Sequence, residues 1–229
     1  MVAVGAPQSV ARYLTVPVVS RVVRQWPQVH PQWMEMGSAY VPEEILRGRI
    51  DLGLTFGTEP DARLRFQRML DEDLLLYALP TTLARLSGAD QAHADTIELQ
   101  ALQALQALQG LPMVMPSAGH SLRTCIDGYL DRAGVRLRVI AEVNSVPRLL
   151  ELAQSDVGAT IVSLASIAPL PQGHTLRALK IVNPAMQRSV YCVKLATTPL
   201  TLAVSKVEQL IQETVESLIT DGTWPCTRA

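Results

Sequence analysis

Short apolar segments alternate with stretches of helical periodicity along the first quarter of the chain, and this alternation restricts the possible folds most strongly. The segments Val2–Gly5, Val29–Met36 and Ile50–Gly57 predict strands, and the two amphipathic stretches between them predict helices. A β-α-β-α-β order predicts a parallel sheet with right-handed crossovers, because a tight hairpin cannot join parallel neighbours. The sequence therefore predicts an α/β fold.

The same alternation returns after Leu74–Leu79, a segment so apolar that we expect both of its faces to be buried. We place a change of lobe here, with residues 1–75 and 184–229 in lobe I and residues 76–183 in lobe II. The elements predicted beyond this segment are the strands Pro112–Met115, Leu137–Val143, Ala159–Val162 and Ser189–Leu195 and the helices Ser121–Ala133, Val146–Gln154 and Leu200 to about Ile219.

A Leu-Gln-Ala triplet repeats through residues 99–109. A three-residue step advances about 300° around a helix, so the leucines form no fixed stripe. We interpret the repeat as a low-complexity surface helix in preference to a partner-binding helix.

Composition limits the function classes. The 229 residues carry a net charge of −1, and this gives no basic footprint for nucleic acid. The three cysteines are odd in number and widely spaced, which argues against a disulfide framework and favours a reducing compartment. The first residues lack the features of an export signal, and the longest uncharged run, Leu99–Leu122, is interrupted by Gln, Pro and Gly. We expect a cytoplasmic globular protein without membrane contact.

The sequence gives little support to catalysis. The histidines His30, His93, His120 and His174 have no metal-ligand spacing, and nucleophile-elbow, Walker and dinucleotide fingerprints do not occur. We interpret His120 as a surface histidine and Cys125 as a small packing residue. The acidic run Asp71–Asp73 predicts a solvated strand entry, although two close carboxylates can also do acid–base work. We therefore expect no enzyme, no metal and no cofactor.

Several segments together resemble the effector-binding domain of LysR-type transcription regulators. The most specific match is Leu46–Leu54, which is similar to the family's L-x-x-G-x-x-D-h-G-h signature, where h is apolar, although its leucine stands two and not three positions before the glycine. Val157–Ser163 departs from a second family pattern at Ala159 and Ser163, so we assign no function to that stretch. The other residues that match in the family's order are Gly5–Ser9, Leu14, Pro17, Trp26, Pro27, Gly37, Ser117, Arg123, Asp127, Ala133, Gly134 and Glu142–Ser145.

The resemblance implies a two-lobed α/β fold like that of periplasmic solute-binding proteins, with two crossover strands and a ligand in the cleft. It implies a small effector, a carboxylate or another anion, and assembly into a homodimer or homotetramer. It also implies that DNA is bound only through an N-terminal winged helix-turn-helix and linker helix, which are absent from this chain. We interpret the chain as a truncated form, with a natural stand-alone sensor as the alternative.

Two other functions stay open at this point. One is a solute receptor of a transport system with the same fold, which the missing export signal disfavours. The other is a hydrolase or dehydratase on this scaffold, which would reveal itself by turnover.

In open parallel sheets, ligands bind beyond the carboxyl ends of the strands, at the switch point. Three loops lie there in the predicted fold and lead into helix N-termini, whose N–H groups and dipole favour an anion. The predicted effector-binding residues are Pro7, Gln8, Ser9, Ser38, Tyr40, Ser117 and Ser121.

Each of these residues has a structural alternative. Ser9 and Ser121 are expected to cap their helices, with or without a contact to the effector. Tyr40 fits a half-buried packing position equally well. Asn144 and Ser145 predict a helix cap. Further expectations are that Asp51 binds backbone donors or an interlobe partner and that Gly57 and Thr58 line the cleft.

Overall fold

The computed structural model describes residues 1–84, 96–98, 110–166, 175–197 and 199–228, which form two compact units. Unit 1 comprises Met1–Asp71 and Ser189–Ala229, and unit 2 comprises Glu72–Arg188. The predicted triplet helix, His93 and His174 lie outside the described residues. The lobe limits at 75 and 183 stay a prediction.

Strands and helices alternate through much of the chain. The strands are β1 (Val2–Ala6), β2 (Pro31–Glu35), β3 (Leu52–Phe56), β4 (Leu64–Ala78), β5 (Thr96–Glu98), β6 (Pro112–Met115), β7 (Arg138–Glu142), β8 (Thr160–Ser163), β9 (Arg177–Val182), β10 (Gln187–Leu195) and β11 (Thr227–Arg228). The α-helices are α1 (Gln8–Gln25), α2 (Val41–Leu46), α3 (Pro80–Leu83), α4 (Ser121–Ala133), α5 (Val146–Gln154) and α6 (Leu202–Thr220). No helix in these described ranges is long and apolar enough to cross a bilayer.

The sheet of unit 1 has the strand order β2-β1-β3-β10. β1 lies between β2 and β3 and is parallel to both, whereas β10 runs antiparallel to β3. Pro31 opens β2 at the edge of this sheet, where a residue without an N–H is tolerated. The predicted parallel β-α-β-α-β arrangement is confirmed.

Helices cover the sheet of unit 1. An inward stripe on α1 buries its apolar side chains, and α6 packs against the same helix. The Nη2 atom of Arg21 on α1 lies 2.7 Å from the Oε2 atom of Glu213 on α6. Beyond α6, Trp224 is buried and stacks on Tyr13 of α1 with ring centroids 4.7 Å apart. The buried residues of the stripe on α1 are Val10, Ala11, Leu14, Val18 and Val22.

In unit 2, β6 and β7 pair in parallel from Pro112↔Arg138 to Met115↔Glu142. On the other side of β6, Ala159 forms two backbone hydrogen bonds, of 2.7 and 2.8 Å, and leads into β8. β4 then pairs antiparallel with both β8 and β9, and β9 is parallel to β5. The repeated strand–helix pattern predicted for this part of the chain is therefore confirmed for the described residues.

β4 differs from the prediction, and β5, β9 and β11 were not predicted. β4 begins at Leu64 and not at Leu74, because its first half is polar and carries no continuous apolar run. β9 was not predicted, although its buried residues Leu179 and Ile181 alternate with more exposed positions as in a half-buried strand.

Candidate functional site

The loops that follow β1 and β2 leave the sheet of unit 1 at the same edge. Ala6 pairs with Glu35 at the carboxyl ends of the two strands, and the Met36 N–H donates to the Ala6 carbonyl over 3.0 Å. The chain goes from β1 to β2 on one side of β1 and returns to β3 on the other, so a switch point lies between β1 and β3. The loop at Pro7 starts from this point.

The start of α1 differs from the prediction. The helix begins at Gln8, and Pro7 is its N-cap, with φ −64° and ψ 148° and no side-chain cap bond. Pro7 supplies a carbonyl that accepts from the Val10 and Ala11 N–H groups over 2.9 and 2.8 Å. The predicted Ser9 cap is wrong, because the extended Pro7 backbone starts the helix two residues earlier. Ser9 instead lies in the first turn, at the positive end of the helix dipole.

The loop after β2 holds one buried and one exposed candidate. Ser38 is buried, and its carbonyl accepts from the Thr55 hydroxyl of β3 over 3.0 Å. Tyr40 is 64% exposed, so the half-buried alternative is wrong. A Cβ at Gly37 would lie 3.2 Å from the Tyr40 ring, which therefore packs closely over that glycine.

Other residues near this edge have simple roles. Asp51 accepts the Ala3 N–H with Oδ2 over 2.8 Å, which confirms the expected bond to a backbone donor. Gly57 and Thr58 are exposed where the chain leaves β3. A contact of either residue with a ligand stays a prediction.

In unit 2, the loop after β6 forms a turn at the second switch point. The His120 N–H donates to the Ser117 carbonyl over 3.1 Å, and Gly119 has φ +85°, a value that favours glycine. His120 is the N-cap of α4, and its Nδ1 accepts from the Leu122 N–H over 3.2 Å. The prediction that Ser121 caps this helix is therefore wrong, and the partly exposed His120 has that role instead.

The capping bond also determines the chemistry of His120. Burial, and secondarily the charge of Arg188, lower the pKa of the imidazole. Since Nδ1 accepts a hydrogen bond, the neutral ring carries its proton on Nε2. His120 is thus an uncharged donor in this loop.

Asn144 holds the other end of the turn. Its Oδ1 accepts both the backbone N–H and the hydroxyl of Ser117, each over 2.9 Å. Ser145 is the N-cap of α5 and makes no side-chain cap bond. The predicted helix cap is therefore confirmed for the position of Ser145 and is wrong for Asn144, because the Asn144 oxygen binds a loop distant in sequence.

Arg123 connects the carboxyl ends of β6 and β7 on both sides of this contact. Its Nη1 donates to the Pro116 carbonyl over 3.0 Å and to Glu142 over 3.3 Å, and its Nε binds Asp127 over 2.8 Å. The side chain is 18% exposed. From the first turn of α4, Arg123 therefore stabilises the loop between β6 and α4.

Unit 2 also buries an ion pair that the sequence did not reveal. Glu72 and Arg188 have side chains 0% and 4% exposed, with 2.6 Å between Oε2 and Nη2. The same Nη2 donates to the Ser163 hydroxyl over 2.8 Å, and that hydroxyl lies 2.8 Å from the Ser166 hydroxyl. The prediction of a solvated acidic run is wrong at Glu72, because its partner is far away in sequence.

The flanking members of the acidic run are also bound. Asp71 is buried and accepts the Ser189 hydroxyl over 2.6 Å, and Asp73 accepts from the Gln187 amide over 2.7 Å.

Burial raises the pKa of the Cys125 thiol, as suits a packing residue and not a reactive one. No cluster of three metal-binding side chains occurs among the described residues.

Comparison with known proteins places these loops in a family context. Residues 1–216 match the family described as "LysR substrate binding domain". The HTH-type transcriptional regulator BbuR of Bordetella bronchiseptica is 20% identical over 89% of this chain and 59% of its own length. The chain spans about three-fifths of the length of the curated relatives it matches.

Two solved structures have the same fold. The CcmR regulatory domain of Synechocystis PCC6803, in complex with 2-PG, has a TM-score of 0.77 and 15% identity, covering 95% of this chain and 98% of its own. The effector-binding domain of QuiR, in complex with shikimate, has a TM-score of 0.76 and 14% identity, covering 94% and 97%.

Proposed function

Because the chain belongs to the LysR substrate-binding domain family, we propose that it is the effector-sensing part of a LysR-type transcription regulator and that its effector is a small anion. The observation that carries this proposal is the position of two loops, at Pro7–Ser9 and Ser117–Ser121. Each follows a central parallel strand at a switch point and enters a helix N-terminus. Helix N-termini favour a negative group without a formal charge on the protein.

The proposed effector-binding residues are Pro7, Gln8, Ser9, Ser38, Tyr40, Ser117 and Ser121. Their support is the geometry of the loops together with the neighbours of the same fold. QuiR is described in complex with shikimate, which is a carboxylate, and CcmR in complex with 2-PG. The family favours regulation over the transport alternative.

The proposal includes the remaining partners. DNA is contacted by a domain outside this chain, the protein acts in the cytoplasm, and it catalyses no reaction. We also propose a homodimer or homotetramer. Val16 and Val23 are exposed on α1 and lie seven residues apart, and therefore on one face of the helix. A second copy of the chain would cover this apolar face.

Thermal unfolding with added anions tests the proposal. Shikimate, 2-PG and inorganic phosphate are each titrated against the protein, because a ligand that binds only the folded state raises its stability. At a concentration of 100 Kd the gain is about 2.7 kcal/mol, equivalent to roughly 5–10 °C in Tm for a chain of this size. Ser9→Ala is expected to weaken binding about tenfold, since a hydrogen bond to a charged group contributes about 1.5–3 kcal/mol.

Ser205→Ala is the matched control, because it makes the same change at an exposed position of α6. A stabilising anion whose affinity is the same for wild type and Ser9→Ala would contradict the pocket assigned to unit 1. Stabilisation by none of the three anions would contradict the anionic effector class.

A further inference from the structure

The contact between Ser117 and Asn144 lies where the carboxyl ends of two parallel strands meet. β6 ends at Met115 and β7 at Glu142, and the Val143 N–H donates to the Met115 carbonyl over 2.9 Å, which extends the pairing to the last residues. Asn144 therefore lies at the edge of the unit 2 sheet where open α/β sheets bind ligands. It is as close to that edge as Ser117.

Both hydrogen-bond donors of Ser117 are already occupied. Its backbone N–H and its hydroxyl both donate to Asn144 Oδ1, each over 2.9 Å. A backbone N–H can only donate, so the Asn144 atom that faces it must be the carbonyl oxygen of the amide. This fixes the orientation of the amide. The Ser117 hydroxyl then has only lone pairs left, and lone pairs repel an anionic group.

The Asn144 amide supplies what Ser117 lacks. Its Nδ2 carries two N–H donors, and across the ranges that the structure describes this atom donates to no protein group. The side chain is exposed, so a ligand can reach these donors without prior unfolding. Arg123 binds both Pro116 and Glu142 and so holds the carboxyl ends of β6 and β7 together.

We propose that Asn144, and not Ser117, donates the hydrogen bond to the anionic group of the effector in unit 2, and that Ser117 is the positioning residue that orients the Asn144 amide. This inference rests on the proposed function and changes one of its residues. It also defines a specificity: the loop selects an acceptor group at Asn144 and a donor group, such as an effector hydroxyl, at Ser117.

Four variants of the full chain separate the two residues. Asn144→Asp keeps an oxygen for the Ser117 donors but removes the amide hydrogens, and Asn144→Ala removes the donors without adding charge. Ser117→Ala removes the hydroxyl and keeps the backbone bond. Gln32→Glu, at an exposed position of β2, controls for the added negative charge.

Inorganic phosphate and shikimate are titrated separately, with affinity from calorimetry and backbone and side-chain N–H signals from nitrogen-edited NMR. We expect the Asn144 amide signals to shift saturably, both Asn144 variants to weaken binding about tenfold or more, and Ser117→Ala to weaken it about threefold or less. Gln32→Glu is expected to bind as the wild type does.

The contrary results are distinct. If Asn144→Ala binds like the wild type or better while Ser117→Ala binds weakly, the assignment is overturned, because the freed Ser117 hydroxyl is then the donor. If saturable shifts occur only at Ser9 and Ser38, this inference fails and the proposed function stands. If neither anion produces saturable shifts anywhere, both fail.

Discussion

Removing one partner of the buried ion pair of unit 2 should lower the free energy of unfolding far more than removing both partners. In Arg188→Met, the carboxylate of Glu72 stays in a place with 0% exposure and loses its cation. Leaving one charge of a buried pair without its partner costs about 3–5 kcal/mol. The Ser163 hydroxyl also loses the donor that reaches it over 2.8 Å.

The double variant Glu72→Leu/Arg188→Met removes both charges. Here the desolvation cost of two ions disappears together with their attraction, so the free energy of unfolding should return to within about 1–2 kcal/mol of the wild-type value or exceed it. The two substitutions are therefore expected to show a coupling energy of more than about 2 kcal/mol. Arg148→Met is the control, because the pair of Arg148 with Glu151 in the same unit is 65% and 56% exposed. It should change stability by less than about 1 kcal/mol.

Urea unfolding followed by circular dichroism measures these free energies, and thermal unfolding should show Arg188→Met about 10 °C below the wild type. The effect should persist at high salt, since ions screen exposed pairs and hardly reach buried ones. A cost below about 1 kcal/mol for Arg188→Met, or additive effects in the double variant, would refute the reasoning that both charges are desolvated.

Two further predictions follow from packing and protonation. Because the pKa of His120 is lowered in the folded protein, the unfolded chain binds the proton first as the pH falls, so the stability that His120 contributes is complete above about pH 6.5 and is lost below it. His120→Asn, which preserves a capping oxygen, should therefore flatten the pH profile of the urea midpoints. An unchanged profile would contradict this. Gly53→Ala should destabilise unit 1 by about 1–3 kcal/mol, since the added Cβ would lie 2.3 Å from Val41 Cγ1. Gly110→Ala is the control, because a Cβ at Gly110 would meet no atom within contact distance. Equal Tm values for the two variants would contradict this prediction.

The sequence predicted the regular elements best where apolar runs end at clear stop signals. Ser121–Ala133 was predicted with its observed bounds, and Gly134 follows it with φ +68°. Val146–Gln154 also has its predicted bounds, with a proline in its first turn. Local chemistry determines such ends, so a single sequence contains the information.

The site was predicted only at the level of its loops. Whether Pro7 or Ser9 caps α1 depends on backbone angles that the residue types alone do not decide, since both Pro in the first turn and Ser at the cap are favourable. The Ser117–Asn144 bonds and the Glu72–Arg188 pair join residues 27 and 116 positions apart. Such pairs follow from strand register, which periodicity does not give, and polar residues in a strand therefore looked solvated.

The order of the units along the chain has a consequence for synthesis on the ribosome. Unit 2 is one continuous segment, whereas unit 1 needs both Met1–Asp71 and Ser189–Ala229. As the chain emerges from the exit tunnel, β3 lacks its antiparallel neighbour β10 and α1 lacks α6 until the segment from β10 onward has been translated. The segment of unit 1 that leaves the ribosome before unit 2 is thus completed only after it, and its exposed apolar helix is the surface that nascent-chain chaperones would have to shield.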